Sequence, residues 1–277
     1  MSPELRRLWR AKLQACGIHL AISAALFAAI IAVGIELWYP PPYFWIDGGL
    51  WVVRIAAIVD VILGPLLTLV VFRPGKRLLA LNLAVIAFFQ AAFLTWGVLV
   101  MYQQRPLLAA FVGAPSNRFF PITEEFIRDG GRPLEELLAL SPERPAQVSI
   151  RLPEDPVQVR ALLAESFGGG SSSVLRRTEL FEPLRGAQLE RMLAGARDER
   201  RLAALWPLAR PRIERFLAER GARFEDYAFV PIHGRYYIAL AAFERATGRY
   251  AGALYTHDRL RASLTDLGAR AARPARN

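Results

Sequence analysis

Few of this chain's side chains have types and spacing that could do chemistry, and most of those point to none. The three histidines, His19, His233 and His257, lie far apart in sequence with no second ligand at metal spacing, so each reads as structural or exposed. The run from Gly168 to Ser173 lacks the lysine that would reach a phosphate, and it reads as a flexible loop. No nucleophile elbow is present. Glu124-Glu125, Glu135-Glu136 and Asp198-Glu199 fall in polar, helix-like segments and read as solvated faces. Cys16 is the lone cysteine, so no intrachain disulfide can form. Leu13-Gln-Ala-Cys16 looks like a lipid-attachment box, but Arg6, Arg7, Arg10 and Lys12 precede it instead of an apolar run. This inventory is not that of an enzyme, and it calls for no metal and no cofactor.

Asp60 does need a reason. It sits near the middle of Leu50 to Phe72, a segment apolar enough and, at roughly 35 Å as a helix, long enough to cross a bilayer. A carboxylate at that depth costs several kcal/mol, about 3 on insertion scales, unless it is paired or neutralised. Asn82 and Gln90, eight residues apart on one face of the next apolar stretch, are candidates to neutralise it. A partner helix is the other candidate, and the residues do not choose between them. Arg54, nearer the end of the segment, is expected to snorkel to the interface.

The elements that would carry these residues follow from hydropathy. The chain has 277 residues, is 53% hydrophobic and has positive mean hydropathy, but that average hides two regimes. Residues 17–101 are almost free of charge and divide into three spans, about 17–38, 50–72 and 78–101. Residues 1–16 form a basic arm. Residues 102–268 read as a soluble α+β domain with an antiparallel sheet, and 269–277 as a flexible tail. Trp38-Tyr39 marks an interface, and Pro40-Pro-Pro42 stops the first helix, so 39–49 reads as a short extended loop. Pro65 removes a donor inside the second span and leaves the carbonyl of Val61 unpaired, so a kink or a polar neighbour is expected there.

The net charge of +10 is a weak nucleic-acid signal, because the basic residues other than Lys12 and Lys76 are arginines spread among 25 carboxylates; no nucleic-acid partner is expected. The short loops carry more information. The N-terminal arm and Arg73–Arg77 are basic, whereas the loop holding Asp47 has no basic residue. Positive-inside puts the N-terminus and 73–77 in the cytoplasm, and the domain after Met101 on the far side.

In that domain, Leu107–Val112 and Val148–Leu152 read as strands. Asp155-Pro156 starts a helix that runs to about Phe167. Gln188–Leu205 has continuous helical spacing, and Pro211–Arg220 is a helix closed by Gly221. Tyr227–Pro231, Tyr236–Phe243 and Tyr250–Tyr255 read as strands, the last two joined by a Thr247-Gly248 turn.

Trp38-Tyr-Pro…Pro42-Tyr-Phe44, Asp47-Gly-Gly49, Val59-Asp-Val-Ile-Leu-Gly-Pro65 through Phe72, Pro74-Gly-Lys76, Gln90 and Tyr102-Gln-Gln-Arg-Pro106 together resemble the type IV pilin accessory proteins of the TfpX/TfpZ, or FimB-like, family. The resemblance covers residues 15–112. At the position of Asn82 that family often has Asp. The resemblance implies a non-enzymatic protein of the bacterial inner membrane, with a periplasmic domain, that stabilises a cognate pilin or helps assemble it into pili. Its partners would be that pilin and the lipid bilayer, with self-association through the spans left open. The candidate pilin contacts are Asp60, Asn82 and Gln90 in the spans, and Tyr236 and Tyr250 on the closing hairpin. A membrane-anchored periplasmic ligand sensor is the competing reading, although residues 1–16 and 73–77 are too small to hold an output module.

Overall fold

The computed structural model describes residues 2–114, 116–128, 131–167 and 174–259, without the side chains of 163–167 and 257–259. The chain divides into a helical unit, residues 1–38 and 49–103, and a sheet unit, residues 39–48 and 104–277. The Gly-Ser run and the tail fall outside the described residues.

The helical unit holds three helices long and apolar enough to cross a membrane. Helix α1, Pro3–Val33, starts where Ser2 caps the Leu5 N–H and Pro3 takes the first turn, which needs no donor. The basic arm is therefore helical from its third residue. A π-helical turn, Gly34–Trp38, prolongs α1. After residues 39–48 the second span runs as α3, Gly49–Ala57, a π-helical turn Ile58–Leu63, and α4, Gly64–Val71. The third is α5, Leu79–Gln103. Large apolar side chains such as Ile22, Ile55, Val70, Phe88 and Trp96 stand more than half exposed around these helices. Water would not tolerate so much contiguous apolar surface, whereas lipid does.

Among the described residues, the sheet unit is built on seven strands. These are β1 Leu108–Val112, β2 Arg118–Ile122, β3 Ala146–Ile150, β4 Phe181–Pro183, β5 Tyr227–His233, β6 Tyr237–Glu244 and β7 Tyr250–Arg259, in spatial order β4-β3-β1-β2-β5-β6-β7. The expected hairpin is present as β6–β7, but the expected antiparallel sheet is mixed. Strands β1 and β3 run parallel, as do β2 and β5. Parallel neighbours need a crossover, and the helices Glu124–Arg128 (α6) and Leu134–Leu138 (α7) lie in the connection that returns from β2 to β3. Strands β2 and β4 went unread, because Pro121 interrupts one pattern and the other has only three residues.

Leu108, Ala110, Val112, Val148, Ile150 and Phe181 form one apolar cluster with Ile127 of α6 and Leu137 of α7. Helix α8, Pro156–Phe167, begins where Asp155 Oδ1 accepts the Val157 N–H, as the Asp-Pro pair predicts. Leu240, Ala242, Phe229 and Tyr227 form a second cluster with Ile213 and Phe216 of the helix Arg210–Ala218. The expected long helix 188–205 is two helices, α9 Ala187–Ala194 and α10 Glu199–Leu205; the helix Arg210–Ala218 is thus α11. Gly195 ends α9, and Asp198 caps α10 by accepting the Arg201 N–H at 2.8 Å. Helical spacing carried across that break because Leu193 and Leu202 remain on inward faces.

Candidate functional site

The intramembrane candidates lie where the second and third spans meet. Pro65 has no N–H to return to the preceding turn, and the helix answers by widening into the π-helical turn that holds Asp60. In that register the carbonyl facing the missing donor is that of Asp60, five residues back. Gln90 Nε2 of α5 donates to this carbonyl at 3.2 Å. Gly64 makes the approach possible: a Cβ there would lie 2.0 Å from Gln90 Nε2. The polar neighbour expected at the proline is thus Gln90, acting on the Asp60 backbone and not on its carboxylate.

Asp60 is 6% exposed, and its Oδ1 is buried with no hydrogen-bond partner. Gln90 Oε1 is in the same condition. Asn82 lies two turns earlier on α5, half-buried, and no described hydrogen bond joins it to Asp60. A further polar tie crosses the spans, because His19 Nδ1 lies 2.6 Å from the hydroxyl of buried Thr68. His19 is therefore a structural histidine. Arg54 is exposed, with its guanidinium over the Trp51 ring at 5.6 Å.

In the sheet unit the main surprise is segment 39–48. It is not an extended loop. Tyr43–Ile46 (α2) is a short helix whose Tyr43, Phe44 and Ile46 side chains are buried. The β5–β6 turn holds it. The Tyr236 N–H donates to the Ile46 carbonyl, and the Arg235 N–H to Asp47 Oδ1, both at 2.9 Å. Gly234 and Gly48 close the joint: a Cβ on Gly234 would meet Ile46 at 2.5 Å, and one on Gly48 would meet the Tyr236 ring at the same distance. Trp45 stacks on Tyr255 of β7 at 6.2 Å. Burial lifts the Asp47 carboxyl to about 6, against the pull of the Arg235 hydrogen bond and charge. Burial also raises the Tyr39 and Tyr43 phenols, with the nearby Asp47 carboxylate adding to the effect in both.

Of the two hairpin candidates, Tyr236 is half-exposed and belongs to this joint. Tyr250 opens β7 at the other end of the hairpin, packed on Phe243 at 5.5 Å, and burial pushes its phenol up to about 12. The two tyrosines do not share a site. Among the described strands β7 pairs with β6 alone, and beside its outer edge runs a groove formed with α11. Arg212, Arg215, Arg220 and Phe216 line that groove. Sequence reasoning missed the 39–48 joint entirely. Its trace was the aromatic density of Tyr39, Tyr43, Phe44 and Trp45, which is unusual for a bare loop.

Comparison with known proteins follows the same stretch. Residues 7–48 match the family described as Fimbrial assembly protein FimB. The fimbrial assembly protein of serogroups C1 and C2 from Dichelobacter nodosus is 32% identical over 108 residues, 38% of this chain and 81% of the relative. Its counterparts from serogroups E1 and I are 32% identical over the same length, which is 41% of each. No solved structure matches the chain.

Proposed function

We propose, from the premise that this chain belongs to the FimB fimbrial assembly family, that it is a non-enzymatic inner-membrane accessory protein that holds a type IV pilin for assembly. The observation that carries this reading is the joint between residues 43–48 and the β5–β6 turn. Segments tied by hydrogen bonds lie on one side of a membrane. The two spans between residues 48 and 104 must then cross it twice, as a hairpin. With the basic arm and the Arg73–Arg77 turn in the cytoplasm, the sheet unit faces the periplasm. A pilin awaiting assembly has a matching layout, an apolar helix in the bilayer and a head outside.

Two surfaces would meet it. In the spans, Asp60 Oδ1 and Gln90 Oε1 are acceptors without partners, in a medium that offers no water. In the periplasm, the outer edge of β7 over residues 250–254, which among the described strands is paired only through β6, would take an extended strand, with Arg212 and Arg215 of α11 favouring an acidic one. Deleting the hairpin is not a usable test, because Leu240 and Phe243 of β6 are core residues. The test is co-purification of the cognate pilin with Asp60→Leu and with Arg212→Glu/Arg215→Glu. Each is expected to lower recovered pilin several-fold while the accessory protein stays at normal level in the membrane. Full recovery and normal piliation with both variants would overturn the reading.

A further inference from the structure

Among its described residues, the sheet unit buries positive charge without a counter-ion. Arg118, at the start of β2, is 5% exposed. Its Nε donates to the Ser116 carbonyl at 3.0 Å, and its Nη1 lies 3.1–3.2 Å from both ring nitrogens of His233, itself 6% exposed at the end of β5. The Ser116 carbonyl oxygen and the single acceptor nitrogen of a neutral imidazole carry no charge. Arg197, from the break between α9 and α10, is close enough to depress the ionisation of both residues, and its own Nη1 is buried with no hydrogen-bond partner. Among the described residues, neither arginine has a carboxylate partner. The Arg197 guanidinium also lies over the Trp206 ring at 5.3 Å.

The surrounding backbone looks built to bring these groups together. Asn117 takes a positive φ of 47° so that its side-chain amide can donate to the Gly195 carbonyl, joining the β1–β2 turn to the helix break that delivers Arg197. A Cβ on Gly195 would lie 2.7 Å from the Asn117 amide and displace it from the Gly195 carbonyl. Arg118 is buried and Arg197 half-buried with its Nη1 out of reach of solvent, and holding two guanidinium groups near one another in such surroundings is costly unless something negative completes them. Burial and the two arginines hold His233 at about 3, so the imidazole is neutral and cannot be a third cation at neutral pH.

We propose that the Arg118–His233–Arg197 cluster binds an oxyanion, a phosphate-type or carboxylate group whose oxygens bridge the two guanidinium groups. Guanidinium is the side chain suited to this, with planar paired donors that match two oxygens of one anion. The neutral His233 ring holds Arg118 in place and leaves its charge for the ligand. This site does not depend on the pilin reading, because it rests on the sheet unit alone.

The test is thermal unfolding of the full chain in detergent at pH 7. Inorganic phosphate or acetate is titrated in, with sodium chloride holding ionic strength constant. Saturable stabilisation by about 5 °C or more from one or both anions is expected, and the difference between them tells tetrahedral from planar preference. Arg197→Gln should abolish the shift, and Arg197→Lys, which keeps the charge without the paired donors, should raise the half-saturating concentration roughly tenfold. If neither anion stabilises beyond chloride, or if both Arg197 variants respond as the parent does, the proposal fails.

Discussion

The backbone N–H of Arg235 donates to the Asp47 carboxylate at 2.9 Å, across 188 residues of sequence. That bond, with its neighbour from Tyr236 to Ile46, makes the ten residues between the first two spans part of the distant sheet unit. The chain therefore passes between its two units three times, after residues 38, 48 and 103.

Gly234 is the weak point of that joint. Gly234→Ala drives a methyl group to within 2.5 Å of the Ile46 side chain and 2.7 Å of its carbonyl. The variant is expected to lose about 1–3 kcal/mol, as overpacked buried sites do, and to release segment 39–48 to limited proteolysis. Fluorescence of Trp45, stacked on Tyr255 in the parent, should shift in the same sample.

In the spans, Gly64→Ala forces Gln90 off the Asp60 carbonyl. An orphaned carbonyl in a dry environment costs about 1–3 kcal/mol. The double variant with Gln90→Ala relieves the clash but still leaves the carbonyl bare. Its loss should therefore be less than the two single losses combined. Thermal unfolding in detergent, run as a double-mutant cycle, reads this directly.

Acid sensitivity is expected from His233. An unfolded histidine titrates near 6.5, whereas burial and then the charges of Arg118 and Arg197 hold the folded one at about 3. Between those values the unfolded chain takes up a proton that the folded chain refuses, so stability is full above 6.5 and falls as pH drops toward 3. Asp47 works in the opposite direction. Its folded carboxyl titrates at about 6 against 3.8, so the folded chain holds that proton more tightly, and stability declines as pH rises across that window. The histidine shift is the larger, so the parent should destabilise on acidification from pH 6.5 to 4. His233→Gln, which keeps an acceptor for Arg118, should flatten or invert that slope.

Topology is checked with single cysteines in a Cys16→Ser background. Trp45→Cys and Arg220→Cys should label with a membrane-impermeant thiol reagent from the same side in intact cells, and Lys76→Cys only after permeabilisation. Labelling of Trp45→Cys and Arg220→Cys from opposite sides would break the two-crossing hairpin between residues 48 and 104.

Much of the architecture was legible because it depends on short stretches of chain. Continuous apolar runs make spans whatever surrounds them, Asp155-Pro156 starts a helix by its own hydrogen bond, and Thr247-Gly248 closes a hairpin between alternating strands. Family resemblance was carried by the same local motifs, and residues 7–48 match the family where those motifs begin. Even the polar neighbour of Pro65 could be anticipated, since a missing donor leaves a carbonyl free.

Long-range pairing was not legible. A parallel β1–β3 pair leaves the same alternation in each strand as an antiparallel one, so the mixed sheet was hidden until the crossover through α6 and α7 was seen. Pro121 argued against a strand that β1 nevertheless pairs with along its whole length. Arg118, His233 and Arg197 are three unremarkable residues in sequence, and only the fold buries the first two against each other and brings Arg197 near them. The same holds for Asp47 and Arg235. Local sequence decides which segments are helix, strand or span, because backbone propensity and hydropathy act over a few residues. Which segments meet is decided by the burial and hydrogen bonding of the whole chain at once, and no short window contains that information.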